Sequence, residues 1–183
     1  MRFCILALVA VLVGCGTTPP TVREGETKDA ALELARELRE GDIDAALDRF
    51  LLARGMGAER EAWIRGLVAE ELRGFIEVMG VDEQLEPVPP RFDLVREGVV
   101  LARRISPPRP RHYFYVGKSV HLTRDGAMHL VVGFVCHRGT CRVSEVSWGV
   151  PDEDRDGLQR LRAAHEAAVA GRWDFLQAHP RPD

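Results

Sequence analysis

The segment HYFYVGKSVHLTRDGAMHLVVGFVCHRGTCRVSEVSWGV, residues 112–150, decides the fold. It contains three strand-like apolar runs, and Asp125-Gly126 separates the first two. An Asp-Gly pair between two strand-like runs is the strongest short-range signal of a β-hairpin. The pattern therefore predicts three successive antiparallel strands, at His112–Thr123, Ala127–Cys136 and Cys141–Val150.

A register follows if Asp125-Gly126 is a two-residue turn and the two cysteines face each other. These conditions pair Leu122 with His129, and His129 with Trp148. The residues that then share the predicted core face are Phe114, Val116, Val120, Leu122, Val131, Val135, Val146, Trp148 and Val150. The opposite face receives Tyr113, Tyr115, His121, Leu130, Val132, Phe134, Val143 and Glu145.

Four polar side chains of that second face form the candidate pocket: Tyr113, Tyr115, His121 and Glu145. Imidazole and carboxylate groups can exchange protons with a bound molecule if they reach it. In the predicted register His121 and Glu145 are diagonal across two strands, too far apart for a direct pair. The two open hypotheses are a ligand pocket and an ordinary, half-exposed sheet face. We assign no catalytic residue, metal ligand or cofactor.

Cys136 and Cys141 enclose the short segment His137–Thr140 between two predicted strands. Paired cysteines in a chain exported to an oxidising compartment favour a disulfide. Closing so short a loop would stabilise the fold by roughly 2 kcal/mol on the loop-entropy model. The alternatives are a redox pair or a metal site that includes His137.

The N-terminus begins with Met1-Arg2, continues with an apolar run and reaches Leu12-Val13-Gly14-Cys15. The run is about 11 residues long, whereas a membrane span needs roughly 20. A charged start before a short apolar run is typical of a secretory signal peptide. The tetrapeptide resembles the lipobox of bacterial lipoproteins, which implies removal of residues 1–14 and a diacylglyceryl group on Cys15.

This resemblance implies a cell-envelope protein held to a membrane by its lipid, with its domain facing the periplasm or the exterior. Residues 15–27 are interpreted as the lipidated tether, and residues 28–183 as a single α+β domain. Gly16 follows the cysteine where an aspartate would stand for inner-membrane retention in enterobacteria, which favours the outer membrane.

Helical spacing of apolar residues predicts helices at Lys28–Glu40, Asp42–Ala53, Ala58–Met79 and Asp152–Ala170. Gly41 is expected to end the first of these helices, and Asp42 to cap the second. Arg96-Glu97-Gly98 is interpreted as a short hairpin turn between two further strands.

The segment from Ala35 through Leu38 and Gly41-Asp42 to Ala45-Ala46-Leu47 resembles the helix–Gly-Asp–helix opening of many small NTF2-like (cystatin-like) lipoproteins. That resemblance implies N-terminal helices packed on a curved antiparallel sheet, to which this chain adds a C-terminal helix. The superfamily uses its cone-shaped cavity for ligands, for partners or, less often, for catalysis.

The net charge of −3 argues against nucleic-acid binding, which favours a basic surface. Residues 152–157 match the start of a calcium loop, although an acidic first helical turn explains them as well. Four arginines interleave with prolines in a segment that could meet anionic lipid or an acidic partner: Arg103, Arg104, Arg109 and Arg111. We expect a non-enzymatic module for an envelope protein or a small ligand. The alternatives are an envelope hydrolase or isomerase and a structural subunit.

Overall fold

The structure is a computed structural model that describes residues 21–52, 57–88, 94–100, 116–124 and 128–182. Within these residues the helices are α1 (Thr27–Glu40), α2 (Ile43–Asp48), α3 (Ala58–Met79) and α4 (Arg155–Ala178). The strands are β1 (Val22–Arg23), β2 (Glu86–Val88), β3 (Leu94–Val100), β4 (Val116–Arg124), β5 (Met128–His137) and β6 (Thr140–Pro151). All the strand pairs are antiparallel. The predicted α+β class is confirmed.

The junction between α1 and α2 has the predicted stop and start signals. Gly41 has a φ of 75° and its N–H donates to the carbonyl of Leu38, which closes the last turn of α1. The side chain of Asp42 accepts a 3.0 Å hydrogen bond from the N–H of Ala45. The two helices therefore meet at a fixed corner.

Strand β6 pairs with β5 along one edge and with three short segments along the other. β1 pairs at Thr140 and Cys141, and β3 pairs from Glu145 to Pro151. Between them, Leu51 donates a 2.8 Å hydrogen bond to the carbonyl of Val143. The open edge of β6, which would otherwise invite pairing with another chain, is covered along most of its length.

Several predicted boundaries differ from the structure. The second helix ends at Asp48 and not at Ala53, because Phe50 already bridges to β6. Residues 22–26 belong to the stretch interpreted as a tether, yet Val22 and Arg23 form β1 and the next three residues form a 3-10 turn. Arg96-Glu97-Gly98 is not a turn, because Leu94–Val100 is one continuous strand along β6. The sequence did not indicate these edge strands, because so few residues show little alternation of polar and apolar side chains.

The predicted register between β4 and β5 is wrong by one residue. Leu122 pairs with Leu130 instead of His129, and Arg124 pairs with Met128. Three residues, and not two, therefore lie between the last paired positions. A slip of one residue moves every side chain of a strand to the other face.

The second hairpin matches its prediction at the turn and departs from it further along. Arg138 and Gly139 have φ values of 50° and 78°, as a two-residue hairpin turn requires. Cys136 pairs with Cys141 as expected. A β-bulge then shifts the register between Phe134 and Gly133, so that Trp148 pairs with Leu130 instead of His129.

Because of these two register shifts, residues from both predicted faces lie together on one apolar face, and the helices pack on that face. Residues of both predicted faces share it: Val120, Leu122, Leu130, Val132, Phe134, Val143, Val146, Trp148 and Val150. All of them are buried in the same core cluster as the inner residues of α1, α3 and α4. The described helices thus pack on this side of the sheet.

The α3–α4 pair packs closely over the C-terminal half of β6. Phe75 stacks on Trp148 with ring centroids 4.9 Å apart, and the indole N–H of Trp148 donates to the carbonyl of Gly80. A Cβ atom added to Gly74 would lie 2.4 Å from the backbone nitrogen of Ala168. Glycine at this position lets the two helix backbones approach each other.

Helix α4 continues to Ala178, eight residues beyond its predicted end at Ala170. Phe175 packs on α3, where its ring lies 6.2 Å from that of Trp63. The indole N–H of Trp63 donates to the carbonyl of His179. The apolar character of the tail predicts that Trp173, Phe175 and Leu176 dock on the core. Phe175 does dock, on α3, whereas Trp173 is 60% exposed.

Replacing Glu71 with glutamine should raise the free energy of unfolding, and more at pH 7 than at pH 4. Burial raises the pKa of Glu71, although Arg172 and His165 act in the opposite direction. A carboxyl whose folded pKa lies above its unfolded pKa costs stability once the pH rises through that interval. Urea denaturation across this pH range checks the expectation. A variant with the same pH slope as the wild type would contradict it.

None of the described helices is long and apolar enough to cross a membrane. The predicted signal peptide, residues 1–14, and Cys15 lie outside the described residues, as do Tyr113, Tyr115 and the arginine–proline segment.

Candidate functional site

The side of the sheet that faces away from the helices carries a row of polar side chains. Ser119 of β4 and Glu145 of β6 both pair with Gly133 of β5. One step along, His121 and Ser147 both pair with Val131. Because side chains alternate along a strand, these residues lie on the face opposite Val120, Leu122 and Val146, together with Thr123. We call Ser119, His121, Thr123, Glu145 and Ser147 the polar face.

Most of the polar face is buried. His121, Thr123 and Ser147 are only 3%, 6% and 7% exposed, and the neighbouring Val131 is fully buried outside the helix-side core cluster. Burying hydroxyl and imidazole groups costs free energy unless they find hydrogen-bond partners. Three of the five members of the polar face are therefore more buried than an ordinary half-exposed sheet face would make them.

The polar face reaches solvent at its Ser119 end. Ser119 is exposed and Glu145 is half-buried. The hydroxyl of Ser119 lies 3.5 Å from Nε2 of His121, at the outer limit of a hydrogen bond. A path of polar groups thus leads from the surface to the buried imidazole.

Ser147 is the least satisfied member of the polar face. Its hydroxyl is buried and has no hydrogen-bond partner among the residues that the structure describes. An unsatisfied buried hydroxyl costs about 1–3 kcal/mol. Such groups are uncommon in folded proteins, and a bound polar molecule is one way to satisfy them.

Gly133 gives Glu145 room to lie across the sheet. A Cβ atom on residue 133 would lie 2.4 Å from Cγ of Glu145 and 2.9 Å from its Oε1. The side chain of Glu145 therefore lies over Gly133, next to the position where Ser119 pairs. Any larger residue at position 133 would displace this carboxylate.

Two of the four predicted pocket residues, His121 and Glu145, do lie on one face, and their pairing keeps them diagonal. The other two, Tyr113 and Tyr115, lie outside the described residues. Sequence reasoning missed three members: Ser119, Thr123 and Ser147. The alternation Ser119-x-His121-x-Thr123 was the available signal for the first two. The alternation Glu145-x-Ser147 was the corresponding signal for Ser147.

The other candidate sites have less structural support than the polar face. No group of three or more His, Cys, Asp or Glu side chains in the described part of the chain could hold a metal ion. Asp154 caps α4 by accepting a 2.9 Å hydrogen bond from the N–H of Gly157, which fits the helix-start interpretation of residues 152–157. Cys136 and Cys141 lie at disulfide-bonding distance. A cavity between α1 and β6 measures only about 10 Å³, room for one water molecule.

No protein-family model, curated protein or solved structure matches the chain. The NTF2-like and lipoprotein resemblances thus stay predictions.

Proposed function

We propose that the protein is a lipid-anchored lipoprotein of the bacterial cell envelope whose polar face binds a small polar ligand. The observation that carries the ligand proposal is the buried Ser147 hydroxyl without a protein partner in the described structure. The lipobox resemblance at Leu12–Cys15 supports the anchor.

The start of the folded chain fits a short connection to a membrane. β1 begins at Val22, only a few residues after Cys15. A fully extended chain covers at most about 3.3–3.6 Å per residue, so this tether reaches roughly 25 Å. A domain on such a tether stays close to the bilayer and cannot drift across the periplasm.

Substituting Cys15 with serine should move the protein from the membrane fraction to the soluble fraction. The serine variant cannot form the thioether to diacylglycerol, and no described helix offers another way to span the bilayer. Fractionation of the host cells, with mass spectrometry of the N-terminal peptide, measures both changes. A variant that stays in the membrane fraction would show that the anchor proposal is wrong.

The polar face sets the chemistry of the ligand. Ser147 can donate or accept a hydrogen bond, the imidazole of His121 can do either, and the carboxylate of Glu145 accepts. A small molecule with several hydroxyl or amine groups matches this set. The apolar floor at Val131 would contact its carbon skeleton.

Native mass spectrometry of the protein extracted from its own host tests the ligand. We expect a small-molecule mass on the wild type and its loss in Ser147→Val, because valine keeps the side-chain volume but cannot hydrogen-bond. Ser144→Ala is the matched control, since Ser144 is buried in the same strand at the bulge. A wild-type protein without any bound molecule, or equal retention in both variants, would contradict the proposal.

The contact between Ser119 and His121 favours one alternative, an envelope hydrolase. In that case His121 would accept the proton of the Ser119 hydroxyl as its oxygen attacks an ester or amide carbonyl. It would return the proton to the alcohol or amine that leaves as the acyl–oxygen or acyl–nitrogen bond breaks, and water would then hydrolyse the acyl-serine. A fluorophosphonate probe should then label the wild type and leave Ser119→Ala unlabelled. Absence of labelling at Ser119 would remove this alternative and leave the binding function in place.

A further inference from the structure

An apolar patch lies at the C-terminal end of α4. It consists of Val169, Trp173 and Leu176, which follow one another at helical spacing on one face. Trp173 is 60% exposed and Val169 is 36% exposed, and they are the only exposed large hydrophobic residues among those whose side chains the structure describes. We call these three residues the C-terminal patch.

Trp173 and Val169 are exposed and do not pack against the core, and Leu176 beside them is half-buried. The buried stripe of α4 runs through Leu161, Ala164 and Ala168 toward α3. Phe175 continues that stripe onto α3. Trp173 lies two residues before Phe175, and two residues correspond to about 200° around a helix. Its indole therefore projects away from the fold.

The direction of α3 relative to β6 follows from its contacts at both ends. At its C-terminal end, Phe75 stacks on Trp148, in the second half of β6. Near its N-terminal end, Arg65 forms an ion pair with Asp48 of α2 at 2.7 Å. α2 leads directly into residue 50, which bridges to the first half of β6. The N-terminal half of α3 therefore points toward the start of β6.

The C-terminal patch lies at the same end of the domain as the tether. α4 runs antiparallel to α3, because Ala168 meets Gly74 whereas Phe175 meets Gly66. The C-terminal end of α4 therefore lies beside the N-terminal half of α3, near the start of β6. That is where Val22, the first residue of β1, pairs with Cys141.

We propose that the C-terminal patch inserts into the interfacial layer of the phospholipid bilayer that carries the anchor. This inference rests on the proposed lipid anchor. Tryptophan prefers the membrane–water interface, where its apolar ring meets lipid and its N–H stays hydrated. The tether of roughly 25 Å keeps the patch within reach of the bilayer.

The anchor and the patch would act together. A patch of three side chains alone binds a bilayer weakly, but the tether raises its effective concentration at the surface. Arg172 and Asp174 flank Trp173 with opposite charges. Insertion should therefore need no anionic lipid and should change little with salt. The result is one preferred orientation of the domain on the membrane.

The test uses the full-length lipidated protein in vesicles that contain bromine-labelled phosphatidylcholine. Bromine on the acyl chains quenches tryptophan that contacts the bilayer. We expect quenching of the wild type and its loss in Trp173→Phe. Of the other two tryptophans, Trp148 is fully buried, and Trp63 is half-buried against Phe175 with its indole N–H donating to His179. The quenching that remains in Trp173→Phe measures their contribution, which is subtracted from that of the wild type.

The matched control is Gln159→Ala, because Gln159 is exposed on α4 at about 21 Å along the helix from Trp173. Its quenching should equal that of the wild type. Protein that floats with the vesicles but shows no quenching at Trp173 would overturn this inference and leave the anchor intact. A shift to dimers in that case would assign the patch to a second copy of the chain. Protein that does not float at all would overturn the anchor, and this inference with it.

Discussion

Replacing Gly74 with alanine is expected to lower the free energy of unfolding by about 1–3 kcal/mol, the range for overpacked interiors. The new Cβ atom would lie 2.4 Å from the backbone nitrogen of Ala168 and 2.5 Å from its Cα atom. Both atoms belong to the backbone of α4, which cannot turn aside as a side chain could. The two helices would have to separate, and contacts on both sides of this crossing would weaken.

A matched variant at the same interface should change stability in the opposite direction. Gly171 in α4 also faces α3, but a Cβ atom there would lie 3.5 Å from the carbonyl oxygen of Glu70, an ordinary contact. Alanine is a better helix former than glycine by roughly 1 kcal/mol. Urea denaturation of both variants measures the pair. A Gly74→Ala protein as stable as Gly171→Ala would show that the helix crossing is not as close as described.

Replacing Arg49 with methionine is expected to lower the free energy of unfolding by about 3 kcal/mol, as breaking one half of a buried ion pair does. The guanidinium group donates two 2.6 Å hydrogen bonds to the carboxylate of Glu37, whose side chain is 9% exposed. The hydrogen bond to Glu37 raises the pKa of Arg49 further above its ordinary range. Without the arginine, a nearly buried carboxylate loses its main partner, and the link between α1 and the end of α2 is lost.

Two further variants make this prediction specific. Arg36→Met breaks an exposed pair with Glu40 within α1 and should cost less than about 0.5 kcal/mol. The double variant Arg49→Met, Glu37→Leu should regain most of the lost stability, since apolar replacement of a buried pair is often neutral. A double variant as unstable as Arg49→Met alone would show that the loss comes from packing and not from an unpaired charge.

The sequence predicted those features of the fold that depend on local residue patterns. The stop at Gly41 and the cap at Asp42 are local, and so is the hairpin turn at Arg138-Gly139. The starts and ends of α1 and α3 agree with the prediction within one residue, because their apolar stripes are regular. Each of these depends on a few neighbouring residues that need no information from elsewhere in the chain.

The register could not be predicted because two single-residue irregularities decide it. The first hairpin leaves three residues between Arg124 and Met128, and the bulge beside Gly133 adds one residue to β6. Either change exchanges the inner and outer faces of a strand. Leu130 and Val132 alternate as regularly in the wrong register as in the right one, so hydrophobicity alone does not distinguish the two.

The candidate site was predicted in part for the same reason. His121 and Glu145 stood out as ionisable residues in apolar strands, and they do share a face. Ser147 draws attention only once its burial and its missing partner in the described structure are known. Small hydroxyl side chains are common in sheets, and nothing in the sequence separates a buried one from an exposed one.

The outer edge of β6 bears on the order in which the sheet can form. β1, the segment around residue 50 and β3 all precede β6, their common partner, in the chain. β2, β4 and β5 pair with one another without β6. The three segments on the outer edge of β6 have no strand to pair with until residues 140–151 have been synthesised. A chain cut short before residue 140 would therefore keep the β4–β5 hairpin with β2 and lose the other half of the sheet.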